Sequence, residues 1–270
     1  MRNLLLALFT LFTLFSCKKE TDYLVKYNFT FAQDSLNPSK KIAEEMILKT
    51  DKNGFALMSN HAFSSDTIKD DITTLIADGK LSATDLMMIN SEVNKYRIYF
   101  EKDSARYFLK TQVNGLLFDF EDEVPEIKWD LSDEKKIINE FEVKKATTKL
   151  FGKNWTAWYA EDIEVPYGPY KFHGLPGLIL EINDEKNNFH YKVSSVIKDT
   201  TNYPIHKKYN AVNSKRIEFE NAIKAYKNNP EKINMRTGDD PQKDAEAFEK
   251  RKLELKSKNN SIEKGLQFDL

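Results

Sequence analysis

Tyr167-Gly-Pro-Tyr-Lys-Phe-His-Gly-Leu-Pro-Gly-Leu-Ile-Leu-Glu-Ile182 sets an aromatic loop rich in glycine and proline directly against an apolar run. Three of the nine glycines in the chain fall here. Gly174 and Gly177 open backbone conformations closed to other residues, and Pro176 fixes φ and removes a donor. This composition predicts a tight corner feeding a core strand over 177–183. Gly168, Pro169, Gly174, Leu175, Pro176, Gly177, Leu178 and Ile179 are then a structural motif, with Leu175, Leu178 and Leu180 packing and Ile179 facing the other way. A second reading stands beside it. Tyr167, Tyr170, Phe172 and His173, with Trp158, form an aromatic wall for a ligand or partner, since such clusters on Gly/Pro loops mark binding surfaces.

Outward from the motif the chain reads as strands. Residues 23–31 alternate, with Tyr23, Val25, Tyr27, Phe29 and Phe31 on one face, the period of a half-buried strand. Residues 46–58 predict a hairpin turning at Asn53-Gly54. Further strands are predicted at 96–100, 106–112, 116–120, 126–131, 136–150, 154–160 and 189–197, with a turn at 184–188. Residues 65–93 differ. Ile68, Ile72, Leu75 and Ile76 recur at helical spacing, Gly79 interrupts, and Ser82-Ala-Thr-Asp85 restarts a helix with a capping-box pattern. From Asn213 onward charge dominates, and Phe219, Ile223, Tyr226, Phe248 and Leu253 leave a sparse apolar stripe. Two helices are expected there, and 249–256 reads as a solvated helix face. The fold class is α+β: a strongly curved antiparallel sheet over 23–200, half-barrel-like, with a helical insertion at 65–93 and a charged, mostly helical extension over 201–270.

The N-terminus carries an address. Arg2 precedes an apolar stretch from Leu4 to Phe15, too short to span a bilayer lastingly, so residues 1–16 read as a secretory signal. Leu14-Phe15-Ser16-Cys17 resembles the lipobox of bacterial lipoproteins, and Cys17 is the sole cysteine. The resemblance implies acylation of Cys17 (palmitate among the chains), a short tether over 17–22, and a membrane partner reached through the lipid. Lys18 after the cysteine favours the outer membrane, with the periplasmic and surface faces both open. With no second thiol no disulfide forms, and stability rests on packing of 18 Phe, 12 Tyr and 3 Trp.

The hexapeptide Gly174–Ile179 reads GLPGLI. With Trp129, Ala146, Gly152, Trp155, Ala157, Trp158, Ile163, Pro166, Gly168, Pro169 and Phe172 it resembles the GLPGLI family of bacterial envelope proteins. The likeness is densest over 129–197. It implies an envelope location and names no reaction. Family members often carry a cysteine near the position of Glu142; this chain has none there.

A net charge of −1 argues against nucleic-acid binding. His61, His173, His190 and His206 are scattered, without HExxH or a Cys/His cluster, so neither metal nor cofactor is expected. No GxSxG or GxxxxGK[ST] occurs. Glu161, Asp162 and Glu164 form an acidic triplet, but neighbours on a strand point to opposite faces and make no ready acid–base pair. The reading is a lipid-anchored, non-catalytic module binding a hydrophobic ligand or an envelope protein. The alternatives are a hydrolase assembled only in three dimensions, or an accessory subunit of an outer-membrane transport assembly.

Overall fold

The computed structural model describes residues 22–85, 97–103, 106–113, 116–201, 203–204, 210–228 and 241–263. The signal expected over 1–16, Cys17, His206 and the part of the expected helical insertion beyond residue 85 lie outside them.

Twelve strands form one open, curved sheet: β1 (Tyr23–Ala32), β2 (Lys41–Asp51), β3 (Gly54–Ser59), β4 (Arg97–Glu101), β5 (Arg106–Val113), β6 (Leu116–Asp122), β7 (Asp130–Ile138), β8 (Phe141–Leu150), β9 (Lys153–Ala160), β10 (Leu178–Asp184), β11 (Phe189–Lys198) and β12 (Val212–Lys215). Their order, β12-β6-β5-β4-β3-β2-β1-β11-β10-β9-β8-β7, joins two meanders at the antiparallel β1/β11 pair. The α+β class and the curved, unclosed sheet agree with the sequence reading. The sheet is not wholly antiparallel, however, because β12 adds in parallel to β6. Its sequence, Val-Asn-Ser-Lys, has no strand periodicity; the exposed edge of β6 recruits it.

Several boundaries differ from expectation. The single strand expected over 136–150 is a hairpin, β7/β8, turning at Asn139, which adopts φ 52°. Asparagine tolerates this left-handed conformation, so the turn needs no glycine and leaves little trace in the sequence. The strand expected at 126–131 begins only at Asp130. The first hairpin turns through Lys52-Asn53, and Gly54 already pairs with Asp51.

In β3, β4 and the second half of β2 both faces are covered, whereas β1 keeps one buried face as expected, with Val25, Tyr27, Phe29 and Phe31 buried and Asn28 exposed. Val25, Tyr27, Phe29, Met46, Leu48, Phe55, Leu57, Ile98, Tyr107 and Leu109 point into the main core. Leu24, Ile47, Ala56, Met58 and Tyr99 form a second, smaller core with Ala62 and Tyr203. Helix α1 (Asn60–Ala77) docks on that second side. Ser59 caps it by accepting from the Ala62 amide at 3.1 Å. Gly79, φ +64°, follows its C-terminus. The helix starts five residues earlier than expected. Its buried face is Ala62, Ser65 and Asp66, not the Ile68–Ile76 stripe, and Ile76 is 60 % exposed. Asp66 is held by Arg97 at 2.8 Å and by the Tyr203 hydroxyl at 2.9 Å. The capping box at 82–85 is formed, with the Asp85 amide donating to the Ser82 hydroxyl and the Ser82 amide to the Asp85 carboxylate.

Helices α2 (Arg216–Asn228) and α3 (Pro241–Ser257) make up the C-terminal region. Phe219 and Ile223 of α2 enter the main core. In α3 Leu255 is buried, whereas Leu253, expected in the stripe, is 65 % exposed. Among the described residues no helix is long and apolar enough to cross a membrane.

Candidate functional site

The glycine-rich motif ends the loop between β9 and β10. The loop is laced to itself: the Gly174 amide donates to the Pro166 carbonyl at 2.9 Å, Ile179 to Tyr167 at 3.1 Å, and Leu178 to Ile163 at 3.1 Å. Tyr167 and His173 bridge antiparallel, making a small knuckle. Gly174 sits at φ +89°. A Cβ on Gly177 would lie 2.1 Å from the Ala160 carbonyl oxygen, so only glycine lets the loop close on the end of β9. The motif therefore serves as the tight corner foreseen from sequence. Gly168 and Pro169 are buried in the knuckle, Leu175, Leu178 and Ile179 are core residues, and Pro176 is exposed.

The structure divides the expected aromatic wall. Tyr170 and Phe172 are fully buried and are not surface residues. Phe172 packs 4.7 Å from Trp155, ring to ring. An aromatic side chain on a loop whose ends are fixed this closely gains more by filling the core than by facing water. Trp158 stands on the opposite face of β9 from Trp155, Ala157 and Tyr159, away from the knuckle. There Lys136 Nζ lies 4.2 Å above its ring and also binds Glu181. The imidazole Nε2 of His190 is 2.8 Å from the same carboxylate. The His190 bond, then the Lys136 bond, holds Glu181 down to about 2, against desolvation.

Tyr167 and His173 do meet, and both stay half-exposed. Tyr167 lies 5.1 Å from Phe55 and 5.6 Å from Phe100. His173 Nδ1 is 2.9 Å from the Lys171 carbonyl and 3.1 Å from the Tyr107 hydroxyl. A carbonyl only accepts, so Nδ1 carries the proton and Nε2 keeps its lone pair. Burial pushes the imidazole below its usual range, which keeps it neutral. Trp129, also half-exposed, donates to the His173 carbonyl at 2.9 Å. Exposed Pro166, Gly174 and Pro176 complete the rim.

Beneath this patch lies a buried charge network. Lys171, 1 % exposed, binds Asp122 at 2.7 Å and Glu263 at 2.9 Å. Arg216 reaches the same Asp122 at 3.0 Å and also binds Glu263. Tyr170 donates to Glu263 at 3.0 Å, and its backbone takes φ 58°, an uncommon conformation for a bulky residue. Two cations and two carboxylates thus tie the knuckle to β6, to α2 and to the C-terminal strap. Sequence reasoning missed Asp122, Lys171, Arg216 and Glu263, because charged residues far apart in the chain carry no pattern of pairing.

The acidic triplet is exposed and has not gathered on the knuckle; Glu161 binds Lys144 at 2.7 Å. Among the described residues no group of His, Cys, Asp or Glu is arranged to hold a metal. The core face of the sheet, where a hydrophobic ligand was expected, is occupied by the chain's own Ile163, Tyr170, Phe172, Leu175, Phe219 and Ile262.

Residues 150–181 match a family model described as a protein of unknown function, Porph_ging. No curated protein matches the chain in sequence. Among solved structures it is similar to PNGF-II in two crystal forms. Each gives a TM-score of 0.51 at 15 % identity over 75 % of this chain. The chain spans about a third of the PNGF-II length (33 % and 32 %). This likeness is one of fold alone.

Proposed function

We propose that this chain is a lipid-anchored cell-envelope protein of the GLPGLI family, acting as a non-catalytic module that docks an envelope protein on the knuckle. One observation carries the reading: Tyr167, His173 and Trp129 are rigid, half-exposed aromatic groups rimmed by Pro166, Gly174 and Pro176. The buried Lys171–Asp122–Glu263–Arg216 network fixes that surface in advance, so little ordering entropy is lost when a partner docks. Interface hot spots favour such preformed aromatics. A partner suits this surface better than a lipid-sized ligand beneath the sheet, since the chain's own side chains fill that space.

The test combines Tyr167→Ala with His173→Ala. The double variant should keep a cooperative thermal transition and lose the envelope protein that accompanies the wild type in native mass spectrometry from its own host. A folded variant that retains the same companion, or a wild type that carries none, defeats the docking proposal. The anchor is tested separately. Cys17→Ser should move the protein from the membrane to the soluble fraction, and retention in the membrane would defeat the lipid proposal.

A further inference from the structure

The C-terminal helices enclose a second feature, remote from the knuckle in purpose and composition. Between α2, α3 and the strap that follows lies a groove of about 580 Å³, within the usual range for small-molecule sites. Its apolar lining is Ile223 and Leu255, both buried. Its polar lining holds four lysines, 224, 227, 256 and 258, against one carboxylate, Glu220. Glu220 is already bound by Arg216 at 2.8 Å.

A plainer role for these lysines is to neutralise helix ends. Lys227 and Lys256 sit in the last turns of α2 and α3, where partial charges of about −0.5 each favour cations. Lys227 also donates to the Lys258 carbonyl at 2.6 Å. Lys224 and Lys256 stand exposed on the rim, which makes that side of the groove basic. An apolar floor under a basic rim suits an anionic headgroup joined to an apolar group.

We infer that the groove between α2 and α3 binds an anionic amphiphile, its phosphate or carboxylate held by Lys224 and Lys256 and its apolar part resting on Ile223 and Leu255. The same chemistry occurs in a bilayer lipid and in a free amphiphile. The inference is independent of the knuckle and stands whether or not a protein docks there.

The experiment uses the full chain at low ionic strength, because screening weakens such contacts. Calorimetric titration with monomeric short-chain phosphatidylglycerol should show saturable binding. Inorganic phosphate should bind at least about tenfold more weakly, for want of the tail. Lys224→Glu combined with Lys256→Glu, both at exposed positions, should weaken phosphatidylglycerol binding by about tenfold or more while the thermal transition stays cooperative, lowered only by the lost cation at the end of α3. Equal binding by this variant, equal binding of phosphate and amphiphile, or no binding of the amphiphile overturns the proposal. Co-sedimentation with phosphatidylcholine vesicles, with and without phosphatidylglycerol, then identifies the source. Extra sedimentation of wild type over the variant on anionic vesicles supports a bilayer lipid. Amphiphile binding without that difference supports a free ligand. Any anchoring at the N-terminus is common to both proteins and cancels.

Discussion

At the scale of single residues, the decisive groups are those that cannot be replaced by neighbours in size. Gly177→Ala would drive a methyl into the backbone of Ala160, and a loss of about 1–3 kcal/mol in chemical denaturation is expected. Lys171→Met should cost more, about 3–5 kcal/mol, because it leaves two buried carboxylates, Asp122 and Glu263, sharing the single cation Arg216 within this network. The glycine was legible in the sequence; the lysine was not, since nothing local distinguishes it from the other lysines. Acid should destabilise the fold through two groups. His173, held below its ordinary value near 6.5 by burial, must be protonated on unfolding, so its contribution is lost as pH falls below that value. Glu181, held at about 2 against an ordinary value of 4.5, contributes fully above 4.5 and loses its contribution between there and about 2. Glu181→Gln should therefore flatten the stability profile over that lower window. A profile as steep as the wild type's would refute the assignment.

At the scale of elements, the open sheet has two edges to protect. Strand β7 carries Asp133, Glu134, Lys135 and Lys136 and a register irregularity between Leu131 and Lys135. Charges and bulges of this kind deter edge pairing between molecules. Replacing Asp133, Glu134 and Lys135 with threonine should produce aggregates at concentrations where the wild type stays dispersed, visible by light scattering. The strap over 259–263 is a second long-range tie, from the C-terminal region to the end of β1 and the core. The Asn259 and Asn260 amides bond the Gln33 carbonyl, Ile262 enters the core, and Glu263 completes the charge network. Sequence periodicity found most strands because alternation survives in each of them. It merged β7 with β8 and missed β12, where an asparagine turn and parallel recruitment leave no periodic signal.

At the scale of the molecule, one pairing unites the two meanders: Tyr23–Phe31 against Phe189–Lys198. The knuckle crosses the same junction, since the Tyr27 hydroxyl bonds the Ile179 carbonyl at 2.7 Å. Calorimetry should accordingly show a single transition, with the β1 and β11 amides the slowest to exchange; two resolved transitions would mean that the meanders unfold separately. The sequence by itself determined the α+β class, most strands and the tight corner at the motif, because periodicity, glycine and proline act through local geometry. Only the tertiary structure decided that Tyr170 and Phe172 are core, that Tyr167 and His173 share a surface, and that Lys171 is clasped by Asp122 and Glu263. Burial and charge pairing depend on which distant segments meet, and that is a property of the closed chain rather than of any stretch of it.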